Sequence, residues 1–341
     1  MPIFRLSPPF LAGSSRVTLH MIQVLLALIP AVIAMVYFFG PAVLINIVIA
    51  VVAALVSEAL MLKLRGRPLK PFLSDGSATV TAVLLAIAIP PLSPWWLTVI
   101  GVSFAIVFAK HLYGGLGYNP FNPAMIGYAL LLISFPVEMT TWMPVNSLAE
   151  QAPGWLASFS VIFTGEYQGM GMDAFSGATP LDHMKTQINM MRSPEYVTSQ
   201  PMYGLFGGLG WEWINIWFAL GGLWLMYRKV ISWHVPMAMI GSLLAISTIT
   251  WLIAPQISGS PLFHLVSGGF MLGAFFIATD PVSGSTTLRG RIVFGAGVGV
   301  LVYIIRVWGG YPDAVAFAVI MMNMLVPLID YYTQPKVYGA R

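Results

Sequence analysis

The 341-residue chain contains no cysteine, which excludes disulfides, cysteine-ligated zinc and cysteine-bound iron–sulfur clusters within it. Any redox group must be held another way. Its five histidines, His20, His111, His183, His234 and His264, are scattered and show no i,i+4 pairing, so no metal ligand is assigned. The glycine-rich stretches 204–210 and 295–299 match no phosphate-loop spacing and follow no predicted strand, which leaves packing or turn roles. One segment differs in kind: Ser176-Gly177-Ala178-Thr179-Pro180. Its small residues allow another group to approach the backbone, and Thr179 offers a single hydroxyl ahead of a rigid proline. By its residue types alone this is a tight exposed turn, with a hydroxyl worth roughly 0.5 kcal/mol or less to stability.

The elements that must position this loop follow from composition. Hydrophobic residues make up 58% of the chain and Asp, Glu, Lys and Arg only 8%, with mean hydropathy +0.82, far from the roughly 25% charged residues of soluble domains. The chain reads as an all-α polytopic membrane protein. Candidate spans lie near 19–39, 41–62, 77–92, 94–113, 121–135, 211–228, 233–253, 262–279, 290–307 and 311–332, bounded by Pro, Gly or charged residues. The run 19–39 is too long for a signal segment and reads as a retained first span. The long polar stretch 136–210 separates two groups of five. With the N-terminus cytoplasmic, 13 of the 16 basic residues, including Arg5, Lys63, Arg65, Lys110, Lys229, Lys336 and Arg341, share one side. The other side holds Lys185, Arg192 and Arg306, which satisfies the positive-inside rule, places the long stretch outside and returns both termini to the cytoplasm. The net charge of +4 therefore reads as an orientation signal, and no nucleic-acid partner is implied.

The division is 1–135 as a first five-helix repeat, 136–210 as an outer loop, 211–335 as a second repeat and 336–341 as a cytoplasmic tail. Gly117-Tyr118-Asn119-Pro120 opens span five and Gly310-Tyr311-Pro312-Asp313 opens span ten. Five intervening spans make the repeats inverted. Spans three and five are short for a bilayer core of about 30 Å, and their counterparts carry Gly268-Gly269 and Pro312; paired broken helices of this kind mark midplane sites in transporter-like folds. Ordinary packing of tilted helices explains them equally well. Glu58, one turn from Lys63, reads as a snorkelling or ion-paired interfacial residue, with an ion-pathway carboxylate as the alternative, while Lys110, His111, and Asp313 near Arg306 read as end anchors or pairs. Trp95, Trp96, Trp142, Trp211, Trp233 and Trp308 suit an interfacial aromatic belt.

Several motifs together resemble a known family. They are Tyr113-Gly114-Gly115-Leu116-Gly117 with Asn119-Pro120-Phe121-Asn122-Pro123-Ala124-Met125, Phe275-Phe276-Ile277-Ala278-Thr279-Asp280-Pro281-Val282, Gly309-Gly310-Tyr311-Pro312-Asp313 and Pro327-Leu328-Ile329-Asp330-Tyr331-Tyr332. The chain resembles, nearly end to end, the D subunit of the Rnf (Rsx) ion-translocating electron-transport complex, and more distantly the B subunit of the Na⁺-pumping NADH:quinone reductase. In that family a Ser-x-Ala-Thr motif carries FMN through a phosphoester to its threonine, and Ser176-Gly177-Ala178-Thr179 matches it residue for residue. The resemblance implies covalent FMN at Thr179, with Ser176, Gly177 and Ala178 forming the rest of the attachment motif and Thr179 acting as an anchor, not a catalytic group. It also implies a noncovalent riboflavin between the repeats near the short spans and Thr279-Asp280-Pro281. A bacterial inner-membrane setting is implied, with other membrane and peripheral subunits as partners, including a second FMN-carrying subunit and iron–sulfur and NADH-side subunits. The lipid bilayer is the remaining partner. The rival readings are a stand-alone solute permease with an inverted-repeat fold and a purely structural scaffold.

Overall fold

Apolar sequence that must leave no backbone group unpaired in lipid folds as helix, and helix dominates the computed structural model, which describes residues 14–149, 152–311 and 314–335. Arg5, the tail 336–341 and the pair Pro312-Asp313 lie outside the described residues. The first five spans are α1 (Ser14–Phe39), α2 (Ala42–Leu64), a short α3 (Leu69–Leu73) leading into α4 (Ser77–Ala88), α5 (Trp95–Phe104) continuing as a π-helix (Ala105–His111), and α6 (Pro123–Ser134). The stretch 136–210 is not a plain loop. It folds into α7 (Pro136–Thr140), α8 (Trp155–Thr164), a hairpin of β1 (Glu166–Tyr167) and β2 (Met170–Gly171), α9 (Pro180–Asn189) and α10 (Pro194–Thr198). The second group comprises α11 (Trp211–Tyr227), α12 (His234–Ile253), α13 (Pro261–Val266), α14 (Phe270–Leu272) running on as a π-helix (Gly273–Ile277), α15 (Leu288–Trp308) and α16 (Val315–Thr333).

Among the described residues, six segments are long and apolar enough to cross a membrane: Val17–Phe39, Ala42–Leu64, Leu69–Ala88, His234–Ile253, Leu288–Trp308 and Val315–Thr333. Span five is short, as the hydropathy pattern implied, but span three, expected to be short, gains length from the preceding short helix and reaches 20 residues, while Trp95–His111 and Trp211–Tyr227 fall just below the length of a full crossing. Helices α4 and α6 have 12 residues each, about 18 Å at 1.5 Å per residue. The run 262–279 splits at Ser267-Gly268-Gly269, where Gly268 takes φ +63°. Asn215 of α11 bridges the break: its Nδ2 reaches the carbonyls of Val266 (3.0 Å) and Gly268 (2.9 Å), and its Oδ1 accepts from the Met271 N–H at 3.2 Å. The carbonyls and amide freed by the break are thus satisfied inside the protein.

Small residues set the helix contacts. Helix α12 packs on α15, where a Cβ on Gly295 would run into the Val235 carbonyl and one on Gly299 into the Met239 carbonyl, the close approach that small residues four apart permit. Helix α1 packs on α11, and α6 on α16. A clasp joins the two groups deep in the protein. The Asn122 backbone N–H donates to Asn323 Oδ1 (3.2 Å), Asn122 Nδ2 to the Ile277 carbonyl (3.2 Å), and Asn323 Nδ2 to the Ser283 carbonyl (2.9 Å).

Candidate functional site

Thr179 sits at the head of α9, not in a plain turn. Its backbone is extended (φ −71°, ψ 155°), Pro180 occupies the first helical position, and its Oγ1 accepts the Asp182 N–H at 3.2 Å. A hydroxyl N-cap followed by Pro is what a helix start prefers. The side chain therefore does more for stability than a free loop hydroxyl, about 1 kcal/mol by comparison with other N-caps, and the sequence-based expectation of roughly half that or less is corrected. Three neighbours fix α9. The Tyr203 hydroxyl donates to the Pro180 carbonyl at 3.2 Å and lies 3.0 Å from His183 Nδ1, while Lys185 Nζ donates to the Gly309 carbonyl. A Cβ on Gly208 would collide with the Pro180 ring. The stretch 204–210 is the seat of this helix, a packing role as expected. Burial pushes the His183 pKa below its ordinary 6.5, despite the opposing charge of Asp182, and raises that of Tyr203, so both are neutral at pH 7.

Ser176, Gly177 and Ala178 are exposed and Thr179 is half-buried. The loop is clamped to the preceding chain by the Gly177 N–H, which donates to the Trp142 carbonyl at 2.7 Å. Gly177 is not demanded by contact: an added Cβ would meet only Pro144, at an ordinary 3.5 Å. What the four residues share is an open face beside a cleft. That cleft is lined by Thr179, Asp182, Tyr128, Trp142, Trp211 and Tyr311, among others. Its enclosed part holds about 60 Å³, room for a few waters, so a three-ring group would rest across its open mouth unless side chains part.

Trp142 and Trp211 have a place that sequence reasoning did not assign. Both are half-buried and line the cleft. Their rings lie 5.1 Å apart, and Phe39 packs edge-on to both, at 6.2 and 5.3 Å. Trp95, Trp233 and Trp308 are exposed, as belt residues would be. A second, apolar cavity continues inward from the first, sharing Tyr128, Trp142, Trp211 and Gly268 and reaching Ile87, Phe218, Gly269 and Ile277. Thr279, Asp280 and Pro281 line a separate pocket with Ser232 and Arg291. The structure therefore brings Thr179 next to the break at Gly268-Gly269, while the Thr279-Asp280-Pro281 segment, at the far end of that span, lines a different pocket.

The residues fit a phosphate-linked aromatic group. The positive end of the ten-residue α9 favours an anion at Thr179, with Asp182 in the first turn opposing it, and the cleft supplies flat aromatic walls. Comparison with known proteins decides the family. The chain matches the NQR2, RnfD, RnfE family over residues 5–339. It belongs to that family. Its relatives include a protein of Escherichia fergusonii named as the D subunit of an ion-translocating oxidoreductase complex, 51% identical over 349 residues that cover 99% of each chain. The protein of the same name from Aeromonas hydrophila is 52% identical, covering 98% of each chain, and that from Cronobacter sakazakii is 51% identical, covering 99% of this chain and 100% of its own length. Members of the NQR2, RnfD, RnfE family thus align with this chain across both helical groups and the segment 136–210 between them.

Proposed function

We propose that the chain is the membrane flavoprotein subunit of an ion-translocating oxidoreductase complex, relaying electrons through FMN joined by a phosphoester to Thr179 and coupling that transfer to ion movement. The observation that carries this reading is Thr179 at the mouth of an aromatic cleft and the head of a helix, in a chain of this family. When bound, FMN supplies one-electron and two-electron redox chemistry. The chain's own residues do the holding. Thr179 Oγ1 is the anchor, the start of α9 favours the phosphodiester charge, and Trp142, Trp211, Tyr128 and Tyr311 exclude water from one side. No residue here is assigned as acid, base or nucleophile. With no cysteine for clusters, iron–sulfur and NADH-side subunits and a second FMN-carrying subunit are proposed as partners. The proposed setting is a bacterial inner membrane with both termini cytoplasmic.

A noncovalent riboflavin is proposed between the two groups of spans, where the apolar cavity beside Gly269 and Ile277, which encloses about 40 Å³, would have to widen to admit it, and not in the pocket of Thr279-Asp280-Pro281. Acid extraction of the purified subunit should release free riboflavin; recovery of protein-bound FMN alone would remove this second flavin. For the first, the denatured wild-type chain should fluoresce as flavin on a gel, and peptide mass spectrometry should place FMN on Thr179. Thr179→Ala should abolish the fluorescence while the chain still inserts. Fluorescence that survives Thr179→Ala, or FMN on another residue, overturns the assignment. A wild-type chain with no gel-stable flavin favours the permease or the scaffold.

A further inference from the structure

The largest concentration of buried charge lies far from Thr179, where α2 meets the π-helix that ends the fourth span. Glu58, Lys110 and His111 are each at most 4% exposed. Lys110 Nζ donates to Glu58 Oε1 at 2.7 Å and to Oε2 at 2.8 Å, so Glu58 and Lys110 are ion-paired, as one of the sequence alternatives had it, but with each other across 52 residues of chain and not with Lys63. The ammonium makes a third bond, to Ser77 Oγ at 2.7 Å, and Ser77 in turn donates that hydroxyl to Asp75 Oδ1 at 2.6 Å. The hydrogen bonds therefore all point one way, from Lys110 through Ser77 to Asp75. On the other side His111 Nε2 lies 3.4 Å from Glu58 Oε1.

Three arguments give this cluster a task beyond holding helices together. A buried ion pair within a span is costly to form and is often replaced without loss by apolar residues, and intramembrane charges mark ion and proton routes. Lys110 and His111, neighbours in the π-helix, both reach one carboxylate, and the π-helix is a form concentrated at functional sites. Lysine, unlike arginine, can release its proton when buried. Both carboxylate oxygens are taken by the ammonium, so the species this cluster's own groups can pass on is the ammonium's proton.

We propose that Lys110, Glu58 and His111 form a proton-holding site, loaded and unloaded through Ser77 and Asp75. In the unloading step an N–H bond of Lys110 breaks as Ser77 Oγ takes that proton, and the original Ser77 O–H bond breaks as Asp75 Oδ1 takes the other. Lys110 is left a neutral amine and Asp75 a neutral acid, with no electron transferred. The step reverses to reload. The charged and titratable groups facing the site are Glu58 from α2, Arg65 just after its end, Lys110 and His111 from the π-helix, and Asp75 ahead of α4; Arg65 donates to the His111 carbonyl at 3.2 Å. This site requires only that the complex moves ions, not that Thr179 carries flavin.

The test uses the assembled complex in sealed vesicles, with proton uptake and electron transfer recorded together. Lys110→Arg keeps the charge and the pair with Glu58 but cannot release a proton, and Ser77→Ala keeps the pair but removes the relay hydroxyl. Both should slow proton transport by about tenfold or more while electron transfer in the presence of a protonophore stays within about twofold. Infrared difference spectra on a pH step should lose a carboxylic-acid band in both variants. Proton transport at the wild-type rate in Ser77→Ala, or an unchanged infrared difference spectrum in either variant, overturns the proposal even if Lys110→Arg fails to assemble.

Discussion

At Thr179 one atom has two duties, and they can be separated by substitution. Oγ1 is both the proposed ester oxygen and the acceptor that closes the first turn of α9. Thr179→Ala removes both and should cost about 1 kcal/mol, read as faster amide exchange at Asp182. Thr179→Ser keeps the cap and should leave exchange at the wild-type rate; equal exchange in Ala and Ser variants would show that the cap contributes nothing. Individual residues were unevenly legible. The proposed attachment motif could be singled out directly, because its four residues are contiguous. The aromatic cleft could not, since Tyr128, Trp142, Trp211 and Tyr311 are brought together only by the topology. The partner of Glu58 was missed for the same reason: Lys63 is near it in sequence, but Lys110 is near it in space.

Among the elements, α9 carries a signal that sequence reading passed over. Asn122-Pro123, Thr179-Pro180, Ser193-Pro194 and Ser260-Pro261 all start helices with a side-chain cap and proline in the first turn, so α9, α10 and α13 were visible in principle. The small cap they help build was obscured because helices of five to ten residues leave little periodicity. Gly268-Gly269, by contrast, announced the broken span. The docking of α9 should depend on pH through His183, whose folded pKa lies below its ordinary 6.5. Above that value both folded and unfolded forms are neutral and nothing is lost. As pH falls below 6.5 the undocked form takes a proton that the docked form refuses, so docking weakens until the folded pKa is passed. Amide exchange at Leu181–Met184 should quicken over that interval, and His183→Gln should flatten the response. A flat wild-type profile would contradict the burial argument.

For the molecule as a whole, α2 packs on α5 as α12 packs on α15, while α1 meets α11 and α6 meets α16. Such pairings are what a twofold axis relating the two groups requires, and the inverted repeat is proposed on that basis. The proposed topology places Val145 outside and Lys229 inside, so reporter fusions after each should read opposite sides with those signs; the reverse would overturn the orientation. The ten hydropathic runs anticipated every long helix because lipid imposes one solution on apolar sequence, whereas contacts between runs had no sequence signature. The Asn122–Asn323 clasp adds a consequence of its own. A carrier that exposes its cargo to each side in turn must slide its halves past one another, and here each cycle would orphan buried amides and carbonyls at about 1–3 kcal/mol apiece. A relay of electrons asks for no such movement. The halves are riveted where a rocking machine would need a bearing, which suits a frame that keeps its passengers at a constant separation.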